Sequence, residues 1–250
     1  MTDLHCHILP GIDDGAGTCE DSLALLRMEA RDGVQNIALT SHFKSDRTTV
    51  EEFLRNRSDA FDRLQEALAG QDLAFNFKLG SEVYYSPDLC EMDVEKLRMG
   101  GTAYMLVEFS TRHRPRFVEE AFRDFQNRGI IPIIAHVERY PYVLEDPSML
   151  YQWVSAGAYA QVNAPTLLKK DKIARQMMKF IRWELVHVLS TDTHSVEQRP
   201  PLLRKAMDYV SQKMGEEMVA RLEHNGDELF CDQELDSIPH EPKKVLGLWI

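Results

Sequence analysis

Strand-like and helix-like runs alternate almost from one end of this chain to the other, and that alternation limits the fold more than any single motif. Residues 2–8 alternate apolar and polar side chains as a short strand does. Thr18, with Asp21 three positions on, predicts a helix start; Leu23, Leu26 and Ala30 form its inward stripe and Gly33 closes it. A second strand reads over 36–42, and the helix across about 50–69 turns Phe53, Phe61, Leu64 and Leu68 inward. Residues 75–85 and 103–109 read as the next two strands. Val118, Ala121, Phe122 and Phe125 mark a helix ended by Gly129. Residues 130–136 are a continuous apolar run closed by His136, as expected of a strand covered on both faces. Leu150, Trp153 and Val154 lead into a strand at 159–163; Ile173, Met177, Phe180 and Ile181 lead into one at 186–192. Closing helices carry Leu203, Ala206, Met207 and Val210, then Met218 and Leu222. Seven such units predict an α/β fold: a seven-stranded parallel β/α barrel, one unit short of the usual eight. In such a barrel the C-terminal strand ends share one mouth, and functional residues collect there. No linker or repeat divides the chain, so residues 1–250 read as a single domain with an apolar tail at about 240–250.

Composition matters here mainly for what it excludes. An apolar fraction of 44% and a charged fraction of 28% are those of a soluble globular protein, and no stretch approaches a membrane span. The first residues lack the basic and apolar regions of a secretion signal, which makes the cytoplasm the default location. A formal net charge of −11 argues against a general nucleic-acid binder. Cys6, Cys19, Cys90 and Cys231 show no paired spacing, and none has Arg six positions later, so disulfide frameworks, structural zinc and Cys-x5-Arg phosphatase chemistry all fall away. Cys6 reads as a small buried apolar group.

The hydrophilic residues that interrupt the apolar runs fall at the strand ends. His5 and His7 close the first strand on one face, with Asp14 in the following loop. His42 ends the second, Glu82 lies near the end of the third and Glu108 ends the fourth; His136 ends the fifth, and Asp192 and His194 close the seventh. Taken singly, each is more often a hydrogen-bonded or solvated group than a ligand. Nine nitrogen and oxygen donors at one mouth are another matter, because such crowding calls for cations to neutralise it. Nine donors suit two or three divalent ions, with Mn, Fe or Zn all compatible. Paired ions of this kind activate water and clamp phosphoryl oxygens. Arg139 in His-Val-Glu-Arg-Tyr and Arg199 beyond His194 would stand at the rim, where planar, permanent charge suits phosphate. Arg112, Arg114 and Arg116 are a weaker signal, better read as a solvated basic loop than as a contact for an acidic peptide. His113, His187, His224 and His240 do not fit the pattern, and His187 reads as structural.

These residues carry a resemblance. Asp-Leu-His-Cys-His-Ile-Leu-Pro-Gly-Ile-Asp-Asp-Gly at 3–15 resembles the bacterial metal-dependent protein-tyrosine phosphatases of the PHP (polymerase and histidinol phosphatase) superfamily, which accompany capsule and exopolysaccharide synthesis. Leu-Thr-Ser-His, Gly-Ser-Glu-Val-Tyr-Tyr, Leu-Val-Glu-Phe-Ser, Pro-Ile-Ile-Ala-His-Val-Glu-Arg-Tyr, Gln-Val-Asn-Ala and Thr-Asp-Thr-His follow in that family's order, so the similarity runs from residue 2 to about 225. The resemblance implies the PHP fold, a distorted seven-stranded parallel β/α barrel related to the TIM barrel, with three metal positions usually supplied with manganese. It assigns His5, His7, Glu82 and Asp192 to one ion, Glu82, Glu108 and His136 to a second, and Asp14, His42 and His194 to a third. It implies that Arg139 and Arg199 bind the substrate phosphate, and that the substrate is the phosphotyrosine-containing tail of a bacterial tyrosine autokinase. The loop 111–116 is more basic than the family pattern, and the ending at 245–250 has no counterpart in it; that tail packs either on the barrel or on another subunit of a homo-oligomer.

Within the same superfamily the rival reading is a phosphatase for a small monoester such as histidinol phosphate. An amidohydrolase would need a carboxylated lysine and a sixth-strand histidine, where this chain has Glu108 and Asn163. A non-catalytic module that binds the kinase tail, with metals only holding the fold, is the reading from another class.

Overall fold

A computed structural model describes residues 1–245 and 248–249, so Leu246, Gly247 and Ile250 of the expected tail lie outside the described residues. The strands are β1 (Thr2–Cys6), β2 (Asn36–Leu39), β3 (His42–Phe43), β4 (Asn76–Leu79), β5 (Glu82–Tyr84), β6 (Tyr104–Glu108), β7 (Ile131–Ile134), β8 (Tyr159–Asn163) and β9 (Val188–Ser190). Between and after them run α1 (Cys19–Asp32), α2 (Val50–Leu68), α3 (Val118–Asn127), α4 (Pro141–Glu145), α5 (Ser148–Ser155), α6 (Ala164–Leu168), α7 (Lys172–Arg182), α8 (Leu203–Met214) and α9 (Glu216–Phe230). Pairing among these strands is parallel, as the alternation of strand and helix requires: β1-β2-β4 form one sheet and β3-β5-β6-β7-β8-β9 the other. Asp192 N donates to His5 O (2.7 Å) and His7 N to Thr193 O (2.9 Å), joining β1 to the segment that follows β9.

Seven uninterrupted strands are not what forms. The expected second strand is split into β2 and β3 at Thr40–Ser41, and the third into β4 and β5 at Gly80–Ser81. The two breaks are matched: Thr40 N donates to Cys6 O, Gly80 N to Leu39 O, and Glu82 N to Thr40 O and Ser41 O. Gly80 permits this approach, since a Cβ there would lie 3.1–3.2 Å from the Met99 and Thr40 side chains. Arg57 of α2 fastens the second break, donating from Nη1 to Gly80 O (2.8 Å) and Ser81 Oγ (3.1 Å). His42 and Glu82 are the first residues beyond their breaks and stand in register with each other.

Successive strand residues feed two apolar clusters. Leu39, Val107 and Ile134 pack under the helices, whereas Ala38, Leu106 and Ile133 join Leu4, Tyr104 and Phe230 on the other side. Both faces are therefore covered, which is why residues 130–136 carry no alternation. Helix α1 begins with the capping box of Thr18 and Asp21 and ends at left-handed Gly33. Its buried face is Ser22, Leu25, Leu26 and Glu29; Ala30, expected inside, is exposed. The face turns because Glu29 is drawn inward toward Asp3 and Thr191, whose Oγ1 lies 3.3 Å from Glu29 Oε1. His187 is buried just before β9, with Nδ1 accepting from Ala160 N (3.1 Å) and its pKa lowered to about 4 by burial. The tail pairs antiparallel as β10 (Lys244–Val245) and β11 (Leu248–Trp249); Trp249 Nε1 donates to Glu145 O and Lys179 Nζ to Trp249 O, so its described part lies on its own chain. Among the described residues no helix is long and apolar enough to cross a membrane.

Candidate metal centre

All nine sequence-predicted donors come together at one end of the two sheets. His5 and His7 leave β1 on the same face, and their Nε2 atoms are 3.2 Å apart. Glu82 Oε2 lies 3.3 Å from both, and Asp192 Oδ1 lies 3.4 and 3.5 Å from them. The other oxygen of Glu82, Oε1, meets His136 Nε2 at 2.8 Å, and Glu108 Oε1 is 3.6 Å from that nitrogen. On the open side, Asp14 Oδ1 is 3.3 Å from His42 Nε2 and 3.5 Å from His194 Nε2. Glu82 thus faces four imidazoles, since His42 Nδ1 is also 2.9 Å from Oε2. Two of the donors sit on left-handed backbone, His136 at φ 32° and Asp192 at φ 50°, strain of the kind that packed functional sites retain.

The charges of the chain alone are unbalanced. Burial would raise the Glu82 pKa, yet His5 and the other imidazoles hold it well below the usual carboxylate range. Asp192 is held low against its burial by His5 and Arg139. Glu108 moves up, through burial and the neighbouring Glu82. Burial would lower the His7 pKa, but the hydrogen-bonded Asp13 and the adjacent Glu82 carboxylate raise it to about 10. Burial and the His7 charge bring His194 down to about 4.

Does this donor set fit divalent cations? Glu82 Oε2, His42 Nδ1 and His194 Nε2 are buried without a hydrogen bond among the described residues, although His42 Nδ1 and Glu82 Oε2 are only 2.9 Å apart. Atoms that approach so closely without hydrogen-bond geometry are aimed at a shared point rather than at each other. Three groups present donor atoms within 4.8 Å of one another: His7, Asp14, His42 and His194; His5, His7 and Asp192; and His42, Glu82 and Glu108. The donors are imidazole and carboxylate without thiolate, because Cys6 turns away to Ala38 O. The residues fit.

Behind the donors stand residues whose part in the centre the sequence does not announce. Asp13 accepts from His42 N (3.0 Å) and Gly15 N (3.0 Å) and lies 2.8 Å from His7 Nδ1. Gly15 is obligatory in this turn, where a Cβ would fall 2.1 Å from His7 O. Gln161 Oε1 accepts from His136 N (2.7 Å) and faces His5 Nδ1 (3.2 Å); its Nε2 donates to Asn163 Oδ1 (2.8 Å), and Asn163 Nδ2 donates to Asp192 Oδ2 (2.7 Å). Two polar residues two apart on a buried strand are the same signal that exposes His5 and His7. Asp3 takes Thr191 N and Oγ1, bracing the residue before Asp192.

Arg139 and Arg199 converge on this centre from either side. Both donate from Nη2 to Asp192 Oδ2, at 2.5 and 2.6 Å, while Asp192 Oδ1 faces the imidazoles. They line a cleft of about 670 Å³ together with Asn163 and Asp192.

A parallel α/β chain with a cation-seeking histidine and carboxylate centre at its strand ends is one class of protein. Within that class the chain belongs to the family described as capsular polysaccharide synthesis, CpsB/CapC, whose profile it matches over residues 1–230. It is 32% identical to the tyrosine-protein phosphatase YwqE of Bacillus subtilis, over 98% of this chain and 97% of that protein. With the tyrosine-protein phosphatase CpsB of Streptococcus pneumoniae the identity is 31%, over 86% of this chain and 91% of the other. A crystal structure from work on YwqE and CpsB, described as unique metal-dependent tyrosine phosphatases, superposes with a TM-score of 0.89 at 30% identity, covering 98% of this chain and 100% of that one. A lactonase from Listeria monocytogenes shares only the fold, with a TM-score of 0.55 at 12% identity.

Proposed function

We propose that this chain is a metal-dependent tyrosine-protein phosphatase that hydrolyses phosphotyrosine, acting on the tail of a tyrosine autokinase in capsule or exopolysaccharide synthesis. The observation that carries the reading is the split carboxylate of Asp192, which ties an imidazole and carboxylate cluster to two converging guanidiniums. The fold is read as one domain in which the broken strands count as seven staves of a closed barrel, with the cytoplasm as its location. His5, His7, Glu82 and Asp192 would hold one cation, Glu82, Glu108 and His136 a second, and Asp14, His42 and His194 a third, with manganese the expected metal. Bound there, divalent cations supply a nucleophilic water at neutral pH and positive charge for the phosphoryl oxygens.

The chain's own residues do the rest. Arg139 and Arg199 keep further N–H donors free of Asp192 and take the phosphate oxygens, gaining strength as charge grows on them. Asn163 and Gln161 hold Asp192 and His5 in orientation, so that the donor atoms need not reorganise during turnover. A tyrosine phenol, with a pKa of about 10, leaves more readily than an alkyl alcohol, so no strong general acid is required.

The test pairs elemental analysis with turnover of a phosphotyrosine peptide and of histidinol phosphate, before and after chelation. The reading expects bound divalent metal, preference for the peptide, and activity lost on chelation and restored by manganese. Arg199→Lys and Arg139→Lys should each cut kcat/KM by roughly 10²-fold, because an ammonium cannot reproduce the planar fork. Full activity after thorough chelation would overturn it, and faster turnover of histidinol phosphate would transfer the chain to the small-monoester reading.

A further inference from the structure

Beside this centre stand three arginines that the chemistry above does not use. Strand β6 ends at Glu108, and the chain then turns over Ser110, whose Oγ accepts from Arg112 N and His113 N at 3.2 Å. Tyr142 OH pins the same turn by donating to Ser110 O (3.0 Å). Arg112, Arg114 and Arg116 all project into solvent, and among the described residues none of them enters an ion pair, whereas Arg123 and Arg128 just beyond both do. Phe117, which ends the loop, is 68% exposed and sits on left-handed backbone at φ 62°. A groove of about 750 Å³ runs between the loop and Met149 and Trp153, with Glu119 its one acidic wall residue.

A chain with a net charge of −11 thus presents three unneutralised guanidiniums together on the loop that leaves Glu108. Arg112 is four residues beyond Glu108 and so within roughly 14 Å of it. An extended peptide covers that distance in about four residues. We propose that the loop from Arg112 to Arg116 docks acidic residues that lie within about five positions of the phosphotyrosine in a peptide substrate. The proposal rests on the phosphotyrosine reading and adds to it a sequence preference carried by the loop. A peptide fits better than an anionic membrane: three basic residues fall short of the roughly four to eight that mark a lipid-binding cluster, and the acidic remainder of the chain would be repelled.

The experiment uses two 11-residue phosphotyrosine peptides, one with Asp or Glu at the third to fifth positions on either side and one with Ala there. p-Nitrophenyl phosphate serves as a substrate too small to reach the loop. Wild-type enzyme should favour the acidic peptide about tenfold in kcat/KM, mostly through KM, and 0.5 M NaCl should erase the preference. The triple variant R112Q/R114Q/R116Q should lose that tenfold and keep its turnover of p-nitrophenyl phosphate. Anisotropy of a labelled acidic peptide on the metal-free chain reads the same loss without catalysis. Equal kcat/KM on both peptides for the wild type overturns the proposal while leaving the phosphatase intact. Binding of vesicles containing phosphatidylserine that the triple variant loses, with peptide KM unchanged, also overturns it. A wild-type chain that hydrolyses none of the three substrates overturns the parent reading and this one with it.

Discussion

Asp13 and Asp14 are adjacent in one glycine-bounded loop and serve different ends. Asp14 is largely exposed and reaches His42 and His194 across the open side of the centre. Asp13 turns its side chain inward, where it is 5% exposed, and gives its carboxylate to His7 Nδ1 and to the amides of His42 and Gly15. It thereby fixes the ring so that Nε2 points at Glu82 and Asp192. Asp13→Asn keeps the size but places an amide donor or a weaker acceptor against the ring. Cation affinity should fall by about 10–100-fold with the fold intact, as calorimetric titration with manganese would read. Wild-type affinity in that variant would remove Asp13 from the role of ring orienter. The spacing of the sequence makes Asp14 legible as a donor and leaves Asp13 silent. Position in a loop tells which residues are near, and only coordinates tell which carboxylate turns inward. Gln161 and Asn163 were more accessible to reasoning, because polar side chains two apart on a buried strand need partners.

At the level of elements, the locations of most strands and helices follow from apolar periodicity, the short helices α4 and α6 being the ones that no stripe predicts. What periodicity does not carry is the pair of breaks at Thr40–Ser41 and Gly80–Ser81, since alternation reads straight through small residues. The inward turn of Glu29 in α1 is equally silent, for a buried acid declares itself only through its partners. Arg57 is the clearest case. It is a charged residue on a helix that is mostly polar, yet it is 8% exposed and has no carboxylate among the described residues. Burial lowers its pKa to about 10, and its Nη1 spans the break that delivers Glu82 to the centre. Arg57→Gln should cost about 2–3 kcal/mol in urea unfolding, the range for losing hydrogen bonds from a charged donor at a buried site. Because the loosened segment carries Glu82, cation affinity should fall as well, and Arg57→Lys should recover part of both. A variant that loses stability but binds manganese as tightly as the wild type would confine Arg57 to packing.

For the whole molecule, the proposed centre couples folding to cations and protons at once, because its donors come from both sheets and from the segment after β9. In the metal-free fold, the His7 pKa is raised from 6.5 to about 10. Its proton therefore contributes stability that is fully present below pH 6.5 and is lost as pH climbs through about 10. A cation at His5, His7, Glu82 and Asp192 needs that nitrogen unprotonated, so binding must expel the proton throughout this window. His194 sits at about 4 and surrenders nothing at neutral pH, while Glu82 and Asp192 are held ionised. Cation affinity should then rise at least tenfold per pH unit between pH 6.5 and 8.5, read as Kd for manganese in buffers of equal ionic strength. Thermal stability should follow by mass action. At a cation concentration 100 times Kd, one site adds about 2.7 kcal/mol, which for a chain of this length raises Tm by roughly 5–10 °C. The Tm difference between loaded and chelated protein should accordingly widen from pH 6.5 to 8.5 at fixed manganese. A difference that stays constant across that range would mean that no proton leaves His7 on binding, and would overturn the raised pKa of its imidazole in the metal-free fold.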